Sequence, residues 1–150
     1  MGYTLRAFVG RAEALSPLVG VVPQAVLVKL EQGFCLIPVT DALHDALTNF
    51  AQEESPPPFY FLTAHLETQL LARIGNECVG YIEAEYFGGD GEQAAILWKD
   101  GRRKFVAGPD YGAINSVLKR LGVTIGLSNH DEFEAAGLAQ NRHTEDWLPE

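Results

Sequence analysis

Residues 78–107 read CVGYIEAEYFGGDGEQAAILWKDGRRKFVA and contain three strand-like segments separated by turn residues. Cys78 to Phe87 and Gln93 to Trp98 are rich in apolar and aromatic residues, and a glycine-rich loop separates them. Asp100-Gly101 supplies the positive φ values that a tight hairpin turn requires, and it leads into Lys104 to Ala107. The stretch therefore predicts a meander of three antiparallel strands.

Further strands are predicted before the meander. Tyr3 to Val9 alternates in the way that is typical of a half-buried strand. The proline-containing residues 10–23 should form a connection. Gln24 to Leu30 and Phe34 to Val39 are apolar runs on either side of a turn that contains Gly33, so they indicate a hairpin.

Four helices are expected, three from apolar spacing and one from a cap. Thr40 or Asp41 is placed to cap the first helix, which should end near Gln52. Asn129 and Glu132 have the spacing of a capping box that begins a short last helix. The apolar positions are Leu43, Leu47 and Phe50 in the first helix; Leu62, Leu66, Leu70 and Ile74 in the second; and Tyr111, Ile114, Leu118 and Leu121 in the third. Gly75 and Gly122 are placed to end the second and third helices.

The order of these elements is β, ββ, α, α, βββ, α, α, which favours an α+β fold. We predict an antiparallel sheet of about five or six strands with helices packed on one face. The chain of 150 residues has the length of one domain, and its 47% apolar and 21% charged residues are typical of a globular protein. We therefore expect a single α+β domain over residues 1–150.

The charge and the absence of certain patterns limit the classes of function. A formal net charge of -9 disfavours binding to nucleic acid or to anionic membranes and favours a basic partner. No stretch approaches the roughly 18 apolar residues of a membrane span, and the N-terminal residues lack a signal-peptide pattern, so we expect a cytoplasmic protein. Cys35 and Cys78 lie in apolar runs and are predicted to be reduced core thiols.

No complete catalytic, metal or cofactor motif is present. The loop Gly88-Gly89-Asp90-Gly91 is followed by a predicted strand, whereas phosphate-binding loops precede a helix. The histidines have no metal-ligand spacing, so we predict no metal and no cofactor; they are His44, His65, His130 and His143. Glu83 and Glu85 alternate on one strand and could form a carboxylate pair of the kind that acts in acid and base catalysis.

The predicted hairpin of residues 78–98 carries aromatic residues close to acidic ones. Aromatic anchors surrounded by one sign of charge suit a protein interface, although strand alternation directs half of such rings into the core. We predict that the exposed part of this hairpin is a binding surface. Its residues are Glu83, Glu85, Tyr86, Phe87, Asp90 and Glu92, with Tyr81 and Trp98 as further aromatic residues of the hairpin.

Two stretches in the C-terminal half resemble a known group of proteins. Residues 81–98 read YIEAEYFGGDGEQAAILW, and residues 110–148 contain DYGAINSVLKRLGV and DEFEAAGLAQNRHTEDWL. They are similar to small bacterial proteins with a YFGGxGxQA signature and a DEFxxxGL…RxTEDW ending. The resemblance supplies no catalytic residues. Some short, acidic α+β bacterial proteins of this kind are immunity proteins, which block a toxin domain.

Three functions fit these observations. The favoured one is a non-enzymatic protein-binding module, for example an immunity-type inhibitor that binds a basic bacterial toxin through an acidic face. The second is a small hydrolase or lyase that uses Glu83 and Glu85 or a histidine near them. The third is a homo-oligomeric structural protein, such as a homodimer joined through a hydrophobic strand edge.

Overall fold

A computed structural model describes residues 2–49, 54–87 and 90–149. All strand pairs are antiparallel, and they form one six-stranded sheet in the order β2-β3-β1-β4-β5-β6, with the C-terminal meander on one side and the N-terminal hairpin on the other. The α+β class and the predicted number of strands are confirmed. The strands are β1 (Tyr3–Arg11), β2 (Val28–Lys29), β3 (Phe34–Pro38), β4 (Val79–Phe87), β5 (Asp90–Lys99) and β6 (Arg102–Asp110).

Helices cover both faces of the sheet, so the prediction that they lie on one face was wrong. One face packs on α1 (Ala12–Val21), α2 (Asp41–Thr48) and α3 (Ala64–Ile74), and the other on α4 (Ala113–Leu121) and α5 (Glu132–Ala136). The central strands are apolar at both odd and even positions, because both of their faces are buried. In β1, for example, Phe8 faces the first core, whereas Leu5, Ala7 and Val9 face the second.

Helix α1 occupies the region where a connection was predicted. Pro17 lies inside this helix, where it removes a backbone donor. Ala14, Leu15 and Leu18 are nevertheless buried against the first core, and this packing outweighs the local cost of the proline.

Four helix boundaries also differ from the predictions. Leu62 and Tyr111 were expected on helices but lie before the first residues of α3 and α4. Helix α2 ends at Thr48 rather than near Gln52, because Asn49 adopts a left-handed conformation with φ 51°. Phe50 and Gln52 lie outside the described residues. The cap of α5 is Asp131 rather than Asn129, and the Asp131 Oδ1 accepts the backbone N–H of Glu134 at 2.9 Å.

Close packing of α4 on the sheet depends on a glycine in β4. A Cβ atom at Gly80 would lie 2.8 Å from Val117 Cγ1, which is closer than two carbon atoms can approach without a shift. Gly80 therefore permits the helix to approach the backbone of the sheet.

The sheet ends in two different edge strands. Strand β2 has only two residues. Strand β6 exposes three consecutive basic residues, Arg102, Arg103 and Lys104, and contains Pro109 near its other end. The C-terminal segment lies beside the start of β1, where the Thr4 N–H donates to the Arg142 carbonyl at 2.8 Å.

The C-terminal tail packs back onto the domain. Trp147 is buried in the second core, in a short 3-10 helix that spans Thr144–Trp147. None of the helices in the described ranges combines the length and the hydropathy needed to cross a bilayer.

Candidate functional site

The Glu83 carboxylate is buried beneath a loop rather than exposed on the sheet. Its Oε1 accepts the backbone N–H of Tyr60 at 2.8 Å, and its Oε2 accepts those of Phe61 at 2.9 Å and Leu62 at 3.1 Å. The Oε2 atom also accepts the Tyr81 hydroxyl at 2.8 Å, and the residue is 5% exposed. The three hydrogen bonds from the backbone of residues 60–62 fix the proline-containing segment of residues 54–62 on the face of the sheet, and the Tyr81 hydroxyl supports the carboxylate from its own strand.

An arginine supports the same segment from the neighbouring strand. Arg6 lies opposite Glu83 in the pairing of β1 with β4, and its guanidinium stacks on the Phe61 ring at 4.0 Å. Its Nη2 donates to Asp41 Oδ1 at 3.3 Å. The cavity beside Arg6 and Glu83 has a volume of about 20 Å³. A cavity of that size has room for about one water molecule, so the segment is closely packed there.

Four of the predicted binding residues line one open concavity at the end of the β4–β5 hairpin. They are joined by Tyr60, which the fixed segment brings to this place. The concavity has a volume of about 580 Å³, and none of the described residues that line it is a lysine or an arginine. We call this surface the acidic face, and its residues are Tyr60, Glu85, Phe87, Asp90 and Glu92.

The two aromatic rings of the acidic face are unusually accessible. Phe87 is 81% exposed and Tyr60 is 65% exposed, although both are large and aromatic. The Tyr60 hydroxyl donates to Glu92 Oε1 at 2.7 Å. This hydrogen bond to Glu92 and the charge of that carboxylate raise the pKa of Tyr60.

The other predicted residues of the hairpin do not belong to the acidic face. Glu83 lies beneath it, and Tyr86 points to the opposite face of the sheet, where its ring packs 5.9 Å from that of Tyr111. Tyr81 and Trp98 are fully buried in the first core, as strand alternation requires for half of the rings.

The geometry gives Glu83 and Glu85 different environments. Glu85 is exposed, whereas both oxygen atoms of Glu83 are occupied by protein donors. A carboxylate that already accepts four hydrogen bonds is a poor general base, because accepting a proton would break one or more of them. The arrangement therefore suits a structural role for Glu83.

Glu67 forms a second network, which is half-buried at the other end of the first core. Its Oε2 accepts the Trp98 Nε1–H at 2.6 Å, and Arg103 forms two hydrogen bonds with the carboxylate, at 2.6 and 2.8 Å. Burial raises the pKa of Glu67, but the hydrogen bonds from Arg103 and Trp98 and the charge of Arg103 outweigh burial, so the pKa lies below its ordinary value.

The remaining candidate groups do not assemble into a reactive site. Both cysteines are free; Cys35 is buried in the core, as expected, whereas Cys78 is only half-buried. Burial raises the pKa of both thiols, which makes them weak nucleophiles. Among residues 2–49, 54–87 and 90–149, no group of three His, Cys, Asp or Glu side chains is placed to hold a metal ion.

Sequence reasoning missed Tyr60 and Phe61. The prolines before them, at positions 56, 57 and 58, fix φ and remove backbone donors, so they predict only a stiff spacer. The signal that was available is the triplet Phe59-Tyr60-Phe61, since three aromatic residues directly after a polar proline run need a surface on which to pack. Phe59 supplies that anchor, because it is buried against Tyr81 with ring centroids 6.0 Å apart.

Comparisons of the chain with protein-family models, with curated proteins and with solved structures gave no match. The support for a function comes from the exposure, charge and contacts of the acidic face.

Proposed function

We propose that this protein binds a basic protein partner through the acidic face. The observation that carries the proposal is the exposure of Phe87 and Tyr60 in one concavity with three carboxylates. Exposed apolar side chains that share one patch mark interaction sites, whereas single ones are normal on a protein surface, and aromatic residues are enriched at the centre of protein interfaces. Carboxylates around them would complement lysine and arginine side chains of the partner.

The net charge supports the same class of partner. A formal charge of -9 attracts a basic protein over a distance of about one Debye length, roughly 8 Å at physiological ionic strength. Such attraction raises the rate of encounter, and the burial of the two rings would then slow dissociation. Basic residues of this chain are concentrated elsewhere, on the β5–β6 hairpin, where they are Lys99, Arg102, Arg103 and Lys104.

We extend this proposal to an immunity-type inhibitor, which would block a basic toxin domain by covering its positive surface. The basis for the extension is the electrostatic character of the face together with the sequence resemblance to small acidic bacterial proteins. A fixed docking surface also suits an inhibitor, because the Glu83 hydrogen bonds hold Tyr60 in position before the partner arrives.

The proposal is tested by affinity purification from the native lysate at about 50 and about 300 mM salt, since electrostatic association weakens over that range. The bait variant carries Glu85→Gln, Asp90→Asn and Glu92→Gln. A matched control carries Glu13→Gln, Glu77→Gln and Asp100→Asn, which remove the same charge at exposed positions near the opposite end of the sheet. The two bait variants therefore have the same total charge.

We expect the parent and the control to recover a basic protein at low salt, and the acidic-face variant to bind it about ten- to a hundredfold more weakly. A second variant, Phe87→Ala, should lose affinity even at high salt, because the ring contributes by burial rather than by charge. Equal binding by the acidic-face variant and the control would show that the partner docks elsewhere.

A further inference from the structure

A separate cavity lies on the opposite face of the sheet, between β4, β5 and the helices α4 and α5. Its volume is about 260 Å³, just below the range of roughly 300–1,000 Å³ for drug-sized ligands, so it suits a small group. Four aromatic rings form its walls. They belong to Tyr3, Tyr86, Tyr111 and Phe133.

The rings are arranged as two pairs that face the same space. Tyr3 and Phe133 meet edge to face with centroids 5.5 Å apart, and Tyr86 and Tyr111 are tilted with centroids 5.9 Å apart. Both phenols are neutral near pH 7, as ordinary tyrosines are, and burial raises the pKa of Tyr3 and of Tyr86 further. Neutral aromatic rings attract cations through the negative charge density on their faces.

A carboxylate completes the cavity. Asp131 Oδ1 accepts the Glu134 N–H at 2.9 Å, and Oδ2 accepts the Asn115 Nδ2–H at 3.2 Å. Each oxygen atom can accept a further hydrogen bond, since a carboxylate has about four acceptor sites in total. Within the described ranges, no lysine or arginine forms an ion pair with Asp131 or lines the cavity.

The backbone N–H groups beside the cavity already have acceptors, so no free helix N-terminus is offered to an anion. The Ile114 N–H, in the first turn of α4, donates to Gln93 Oε1 at 3.0 Å, and the Phe133 N–H donates to Asn115 Oδ1 at 2.8 Å. The Glu134 N–H is occupied by Asp131 itself. The charge that lines the cavity is therefore negative.

We propose that this cavity binds an alkylammonium group. The cation would lie among the four rings and donate to, or rest against, the Asp131 carboxylate. The group could belong to a free amine or to a lysine side chain, since both present the same chemistry. The site is distinct from the acidic face, because Tyr86 and Gln93 point away from Glu85 and Glu92 along the same two strands.

The test is a titration followed by ¹H–¹⁵N NMR of the whole chain. The probes are tetramethylammonium, n-butylammonium, an acetylated and amidated Gly-Lys-Gly peptide, and tert-butanol as a neutral probe of similar size. The first variant is Asp131→Asn, which removes the charge but keeps a side chain that also caps a helix well. The second is Tyr111→Leu, which removes the most exposed of the four rings. The control is Asp90→Asn on the acidic face.

We expect the cations to shift the Asn115 and Gln93 side-chain signals and the Phe133 amide, while tert-butanol leaves them in place. Asp131→Asn should weaken binding about three- to tenfold, and Tyr111→Leu about two- to fivefold. Tighter binding of n-butylammonium would assign a free amine, and tighter binding of the peptide would assign a lysine side chain.

Two results would overturn the assignment. One is equal binding of tert-butanol and tetramethylammonium. The other is cation binding that Asp90→Asn weakens as much as Asp131→Asn does, because that pattern reports only the overall negative charge. Neither result bears on the acidic face, whose partner is tested separately.

Discussion

Replacement of Glu83 by glutamine should destabilise the fold although the side chain keeps its shape. The amide oxygen can take the place of Oε2 and retain the bonds from Phe61, Leu62 and Tyr81, but these bonds lose their charge assistance. The amide nitrogen then faces the Tyr60 N–H, so two donors meet where one hydrogen bond existed.

The magnitude follows from these contacts. A donor left unsatisfied costs about 1–3 kcal/mol, and three weakened bonds add to it, while the lower cost of burying a neutral amide offsets part of the loss. We expect the free energy of unfolding to fall by about 3 kcal/mol, which corresponds to a decrease in Tm of about 6–12 °C for a domain of this size.

Urea denaturation measures the change, and hydrogen exchange locates it. The amides of Tyr60, Phe61 and Leu62 should exchange roughly 100-fold faster in Glu83→Gln if local opening governs their exchange. The matched control is Glu85→Gln, two residues along the same strand but exposed, which should change the free energy of unfolding by less than about 0.5 kcal/mol. The reasoning fails if Glu83→Gln behaves like the control in both measurements.

The remaining predictions concern the two cores. Glu67→Gln should lower the free energy of unfolding by about 1–2 kcal/mol at pH 7. Because the pKa of Glu67 is lowered by folding, its stabilisation is present above its ordinary pKa of 4.5 and is lost as the pH falls through the lower folded value. The difference between parent and variant in urea titrations should therefore shrink below about pH 4.5, and a constant difference would contradict the assignment. Gly80→Ala should cost about 1–3 kcal/mol, because the new methyl group meets Val117, and Val117→Ala in the same chain should recover part of the loss. An additive double mutant would show that the two do not touch. Alkylation of the native protein should modify Cys78 faster than Cys35, since Cys78 is half-buried and Cys35 is buried; mass spectrometry after timed quenching gives the order.

The strands other than β2 could be predicted from local patterns, because alternation and turn chemistry act over a few residues. The Asp100-Gly101 turn is an example, with φ values of 56° and 76° that the sequence anticipates. The prediction of a strand over Gln24 to Leu30 was wrong for most of that range, since β2 spans only Val28–Lys29. The burial of both faces of the sheet could also have been predicted, because β1 is apolar on both sides of the strand, at Leu5, Ala7, Phe8 and Val9. The interpretation as a half-buried strand gave too little weight to Phe8.

The burial of Glu83 could not be predicted in this way. An alternating strand places Glu83 and Glu85 on one face, but nothing local shows which of them another segment covers. The covering residues, Tyr60, Phe61 and Leu62, lie more than 20 positions earlier in the chain, and the three bonds depend on their backbone rather than on their side chains. The chemistry of each side chain can be read from a sequence, but the acceptor of each backbone N–H group cannot.

The edge strands restrict how a second polypeptide can join the sheet. Strand addition needs a long run of free backbone groups, and β2 offers two residues, too few to template another strand. On the other side, an incoming strand would have to pair beside Arg102, Arg103 and Lys104 and then pass Pro109, which has no N–H to donate. Growth of the sheet into a fibre is disfavoured for the same reason. Recognition of this protein is therefore expected to depend on side chains that can be exchanged one at a time, and not on its backbone.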